Sequence, residues 1–358
     1  MTNAKRQVLL VGSMPFDNEE DAMTRALDAV GNELWSLPDG EIGEKSEAYP
    51  LGNRAAWVQT IIDFCEQDPD SWEIVNPAVR GETGFPTGYD KEPRLKPKHP
   101  PSEMHKHLDL HWLDYFQQNY PIFKQLREER GLPDLKFQVG LPTGLGSAFP
   151  MMHPINALRY ASAFAKRMAY EVNEMIKIAE PDDLLFQIEV PGELAMAYQL
   201  PGFLLDLSLR SILDLVNRIE PKALFGIHIC FGDLNNEALL KSKTLDTMVR
   251  FSNRLVEKWP QTHELAYVHY PLAEAADPPP LDPVYYEPLR NIKLPAGVRF
   301  VAGFVHDKRS EAEHQQILEI IEGIRGQRVD VASSCGLGRR PPDVAETLIG
   351  LSHMLTTV

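Results

Sequence analysis

His228 and Cys230 in FGIHICFGD, together with Cys335 in VASSCGLGRR, are the residues whose types and spacing point most directly to chemistry. FGIHIC is apolar, carries two isoleucines and contains and precedes glycine, the pattern of a short buried strand. Residues i and i+2 of a strand share a face, so His228 and Cys230 point one way and Ile227 and Ile229 the other. Cys335 follows the β-rich run RVDVASS and precedes Gly336, where a strand gives way to a loop. Zinc takes cysteine sulfur and histidine nitrogen in tetrahedral sites. Taken singly, each cysteine reads as a small apolar packing group and His228 as a satisfied core histidine. The three together lead to the expectation of one zinc site and a thiol-handling enzyme.

Eight runs with strand character are the elements that must position these residues: 7–12, 32–37, 136–141, 184–190, 223–230, 264–270, 298–304 and 329–333. Between most of them lie helical patterns with apolar residues at three- and four-residue spacing, at 155–179, 205–219, 236–258, 310–325 and 342–356. Alternating strands and helices close naturally into a (β/α)8 TIM barrel, the expected fold, with residues 1–358 forming a single domain. Active sites of this fold lie at the C-terminal strand ends. Asp39 and Glu41 would follow the second strand there; Glu189, Cys230, His269, His306 and Cys335 would end the fourth to eighth.

The link between the second and third strands is too long for one crossover helix and includes NPAVRGETGFPTGYDKEPRLKPKHPP, with a helical segment from about Ser102. Residues 70–130 are expected to form an insertion that covers the barrel mouth or makes a contact between copies in a homo-oligomer. His105, His107 and His111 suit the face of an ordinary helix, and Cys65 in IIDFCEQ suits helix packing.

Composition narrows the partners. The 358 residues are 43% hydrophobic and 24% charged, enough apolar content for a large core. With 36 Lys+Arg against 51 Asp+Glu the formal charge is −15, which disfavours nucleic acid and anionic membranes. Arg94, Lys96 and Lys98, and the pair Arg339 and Arg340, read as solvated surface or local anion contacts. No run has the ~18 apolar residues that a membrane-spanning helix needs. MTNAKRQVLLVGSMP reads as a first strand rather than a signal peptide, and three cysteines fit a reducing cytoplasm better than a disulfide scaffold.

In order along the chain, VLLVGSMP, DGEIG, FQIEVPGE, HICFGD, GFVHDKRS and VASSCGLGRR make the sequence resemble the C-terminal catalytic barrel of cobalamin-independent methionine synthase. More loosely, it resembles uroporphyrinogen decarboxylase-like and corrinoid-linked methyltransferase barrels. The resemblance implies zinc as cofactor, with His228, Cys230 and Cys335 as ligands. The family's fourth ligand is a glutamate; His269 stands at the matching place in LAYVHYPLAEA, with Glu274 as the rival. The resemblance further implies that Ser13 contacts an amino-acid substrate, that Glu189 replaces an aspartate binding the substrate amino group, and that His306 or Lys308 transfers protons. Asp39 and Glu41 would serve as substrate hydrogen-bond acceptors; for them and for Glu189, ion pairing at the barrel rim is the competing reading.

Two activities follow from these implications. The first is a zinc-dependent methyl or other alkyl transferase that binds a small thiol such as homocysteine as a zinc thiolate, which then attacks an alkyl donor. The donor is left open between folate, corrinoid and others. The second is a zinc-dependent carbon–sulfur lyase or a decarboxylase on the same scaffold. A porphyrinogen decarboxylase would need a cationic pocket, and the strand ends carry few arginines.

Overall fold

The computed structural model describes residues 5–358 with the exception of residue 275. Among the described residues nine strands form: β1 Ser36–Pro38, β2 Trp72–Asn76, β3 Arg94–Pro97, β4 Lys136–Pro142, β5 Leu184–Glu189, β6 Leu224–His228, β7 Glu264–Pro271, β8 Arg299–Val305 and β9 Asp330–Ser333. Eleven helices accompany them: α1 Glu19–Ala29, α2 Trp57–Gln67, α3 Pro101–Met104, α4 Trp112–Glu129, α5 Gly144–Ala148, α6 Pro154–Ile178, α7 Pro191–Gln199, α8 Leu205–Val216, α9 Asp246–Glu257, α10 Glu311–Arg325 and α11 Pro342–Thr356.

Seven strands make one parallel sheet in the order β1-β4-β5-β6-β7-β8-β9. It curls far enough for a single residue, Val8, to bridge Leu34 beside one edge and Val331 on the other. The expected strand at 7–12 is thus reduced to a one-residue bridge, held by Val8 N–H to Glu33 O at 2.8 Å and Leu9 N–H to Val331 O at 3.0 Å. Arg6 anchors the same segment: its buried guanidinium donates to the carbonyls of Val329, Leu355 and Val358 and pairs with Glu322 at 2.8 Å.

Parallel strands are buried on both faces, and β5 is buried at every position. On the concave side, Leu9, Leu185, Tyr267, Val301 and Ala332 pack with Trp35. On the convex side, the sheet packs against the apolar stripes of the helices in the main core. Local signals agree with these elements. α10 opens on a capping box between Ser310 and Glu313 and ends at Gly326 in the left-handed conformation.

The expected helix at 236–258 begins ten residues late, at Asp246. Asn235 and Asn236 take positive φ there, and residues 231–245 make an irregular loop. The three histidines expected on one helix face are also distributed differently. His105 caps α3, His107 stacks on His99 with centroids 3.6 Å apart, and His111 takes a left-handed conformation before α4.

Between β1 and β4, β2 and β3 pair as an antiparallel hairpin, and the loop between them reaches the loop after β6. The Tyr89 hydroxyl accepts from Leu234 N–H at 3.0 Å and donates to Glu237 O at 3.1 Å, while Asn235 donates to Pro86 O at 2.7 Å. Phe85 packs with Ala55, Ala56 and Leu234 under these contacts. Among the described residues no helix is long and apolar enough to cross a membrane.

Candidate metal centre

Strand register assembles the site. Glu189 on β5 pairs with His228 on β6, and His228 pairs with His269 on β7. Cys230 lies two residues beyond His228 on the same face, and the loop after β9 carries Cys335 to it. The two sulfurs are 3.7 Å apart, and His228 Nε2 is 3.8 Å from Cys335 Sγ. Ligand atoms of His228, Cys230 and Cys335 all lie within 4.8 Å of one another, the sole such grouping among the described residues.

The donor set fits zinc. With Zn–S about 2.3 Å and Zn–N about 2.0 Å, a tetrahedral site has S···S and S···N edges of roughly 3.8 and 3.6 Å. The observed separations of 3.7 and 3.8 Å come close to those edges. No disulfide joins the pair, and the third cysteine, Cys65, is buried in α2.

The electrostatics divide the sulfurs. The hydrogen bond from Cys230, helped by the Arg339 guanidinium, lowers Cys335 below the ordinary thiol range. That same contact, with burial, raises Cys230. Of the two, Cys335 is therefore the better anion. Gly232 N–H donates to Cys230 Sγ at 3.2 Å, and Arg339 Nη2 lies 3.7 Å from Cys335 Sγ.

Of the two readings of Arg339, solvated surface or local anion contact, the second holds. Its side chain is 5% exposed and pairs with Asp233, 3% exposed, at 3.0 Å. It also donates to Ala55 O at 2.7 Å and to Ser13 Oγ at 3.3 Å. Ser13 Oγ further accepts from Gly338 N–H, so Ser13 holds the loop that carries Cys335. GLGRR gave one clue to this burial, two glycines next to the cysteine, and both abut Ser13 closely enough that any side chain would collide.

The expected substrate carboxylates separate into two kinds. Asp39 accepts from Arg54 at 2.9 Å, from Asn119 at 2.7 Å and from Glu41 N–H at 2.9 Å, the ion-pairing arrangement. Glu41 and Glu189 instead turn toward each other on the concave side of the sheet. A Cβ on Gly140 would lie 2.6 Å from Glu41 Oε1 and 3.2 Å from Glu189 Oε1, so the two carboxyls are within about 6 Å. Burial, then mutual repulsion with neighbouring carboxylates, raises both, Glu41 to about 7 and Glu189 well above the ordinary range. Gln187 links Glu189 to a polar floor, donating to Glu189 Oε1 at 3.1 Å and to Val11 O at 2.6 Å, and accepting from Tyr267 at 2.8 Å.

His269 is buried behind His228, its Nδ1 2.8 Å from His228 Nδ1 and its Nε2 3.0 Å from Ser333 O. It lies outside the three-residue grouping. Its rival Glu274 faces Lys241 at 3.9 Å. His306 is buried in the loop after β8, where Nδ1 accepts from Lys308 N–H at 3.1 Å and its backbone N–H donates to His314. Lys308 is exposed and reaches Ala276 O at 2.6 Å.

Both sulfurs open onto a cleft of about 140 Å³. Val58, Phe149, Pro150, Pro191, Leu234 and Leu239 give it apolar walls; Tyr89, Glu92, Arg94, Asp233 and Arg339 supply polar groups. Neither His306 nor Lys308 lines it. Burial raises Glu92 to about 7. The sequence reading missed Tyr89, Glu92, Asp233 and Arg339 at this site; all lie in loops, where neither strand period nor helix period applies.

These features define an α/β protein with a curled parallel sheet and a His–Cys–Cys grouping at its C-terminal rim. Among solved structures, the chain is similar to a B12-independent methionine synthase from Shewanella sp. W3-18-1, determined in complex with selenomethionine. The match has a TM-score of 0.57 and 12% sequence identity, and covers 98% of this chain and 96% of that one. At that identity the likeness is one of fold. No family model matches the chain, and no curated protein does.

Proposed function

We propose that this protein is a zinc-dependent enzyme on a (β/α)8-type barrel that activates a small thiol for methyl or other alkyl transfer. The observation that carries the reading is the pair of 3.7 and 3.8 Å separations joining Cys230, Cys335 and His228 at the inner end of an apolar cleft. Bound zinc would lower the pKa of a substrate thiol so that the sulfur is an anion at neutral pH.

His228, Cys230 and Cys335 would hold the metal. Arg339 draws charge from Cys335 and keeps Asp233 neutralised, so the cleft presents no unbalanced anion to an incoming thiolate. The apolar walls exclude water around the reacting sulfur. Glu189, which interacts electrostatically with both cysteines, and Glu41 beside it suit the ammonium group of an amino-acid thiol such as homocysteine. That cation would draw their raised pKa values back down, because an opposite charge favours the ionised carboxylate.

The test is metal analysis followed by thiol titration. The expected result is one zinc per chain, lost in Cys335→Ser, with proton release on adding homocysteine and formation of its S-alkyl thioether from a methyl donor. Zinc that binds without any thiol response would overturn the reading. Cleavage of a thiol conjugate in place of transfer would assign the carbon–sulfur lyase.

A further inference from the structure

His269 occupies the position at which a fourth ligand is expected, yet both its ring nitrogens are engaged elsewhere. Nε2 lies 3.0 Å from Ser333 O, and a carbonyl oxygen only accepts, so the proton of that contact sits on His269 Nε2. Both rings are fully buried, and burial disfavours the charged form of an imidazole. A neutral imidazole protonated on Nε2 carries its lone pair on Nδ1. The 2.8 Å contact between the two Nδ1 atoms is then a hydrogen bond donated by His228. With its proton on Nδ1, His228 has a lone pair on Nε2, the atom 3.8 Å from Cys335 Sγ.

The backbone is shaped around this chain of contacts. A Cβ on Gly303 would sit 2.4 Å from His269 Nε2, so only glycine on β8 leaves His269 its place against Ser333. The β8–β9 register shifts between Gly303 and Val305, beside Ser333. Bulges of this kind re-aim groups next to functional sites.

We infer that His269 is a positioning residue of the metal centre rather than a ligand. It fixes His228 as the Nδ1–H tautomer with Nε2 open to the metal, and the three-residue donor set leaves its fourth position to the substrate sulfur. This inference rests on the metal reading above. Two thiolates and a neutral imidazole balance a divalent cation, so the centre is uncharged before substrate binds. A carboxylate ligand would have made it anionic.

Cobalt(II) binding and its d–d absorption, measured on the parent, His269→Gln and His269→Leu, test it. Glutamine can accept from His228 through its amide oxygen and donate to Ser333 O. It should keep cobalt affinity within about threefold and leave the absorption bands unchanged. Leucine should lower affinity by about 10- to 100-fold, the usual effect of losing an outer partner of a ligating histidine, with band positions retained. Bands shifted alike in both variants would make His269 a ligand and overturn the inference. The tautomer of His228, read from imidazole 15N shifts in the metal-free protein, separates this outcome from failure of the metal reading. Nδ1–H in the parent and in His269→Gln, lost in His269→Leu, supports the positioning role even if cobalt does not bind; Nε2–H in the parent overturns it.

Discussion

At Arg339 one guanidinium serves Asp233, Ser13, Ala55 and Cys335 at once. Replacing it by methionine leaves the Asp233 carboxylate buried without its partner. Such losses cost about 3–5 kcal/mol, which urea unfolding of Arg339→Met should show. Arg339 also lowers the Cys335 thiol, so in the metal-free variant the pH profile of Cys335 alkylation by iodoacetamide should move to higher pH. His228 and Cys230 were legible in the sequence because strand period is fixed at two and a six-residue run sufficed to put them on one face. Arg339 and Asp233 were not, because a loop has no period and a charged pair in it looks the same whether buried or solvated. His269 was placed at the right strand position. Its role was not legible, since a ring that binds metal and a ring that orients one occupy the same register.

Within the elements, β8 and α7 show how much depends on single positions. Gly303→Ala would drive a methyl group to 2.4 Å from His269 Nε2 and 2.9 Å from Tyr270 O. Overpacking of that kind costs about 1–3 kcal/mol, so thermal unfolding should drop, and cobalt affinity should fall by about tenfold as His269 leaves Ser333. Glu193, on α7, is fully buried with Thr143 donating to one oxygen, and burial raises it to about 7 from an ordinary 4.5. The folded chain therefore holds the proton more tightly than the unfolded chain does. Stability from this group is complete below pH 4.5 and is lost as pH rises to about 7. Glu193→Gln should flatten the pH dependence of unfolding across that window by about 3 kcal/mol. Strand positions followed from the sequence to within a few residues for β4 to β9, as did helices α6, α8, α10 and α11, whereas α9 begins ten residues late. The hairpin of β2 and β3 did not, because its exposed face and proline-rich loop carry no clean alternation.

For the molecule as a whole, Tyr89 and Pro86 fasten the β2–β3 loop over the loop after β6, so this loop helps to form one wall of the cleft. Among the described residues, the two edges of the sheet meet through Val8 and its neighbours, with Arg6 clamping the join from behind. A curled sheet whose edges are joined by so few bonds has a seam, and the seam governs where it breathes. Amide hydrogen exchange should release Val8, Leu9 and Val331 well before the amides of β5 and β6. Uniform protection around the ring would show the join to be as strong as any other strand pair. Because Cys335 lies two residues past β9, just beyond that seam, each opening would also loosen one corner of the candidate site, and a metal held there would have its lifetime coupled to the breathing of the wall beside it.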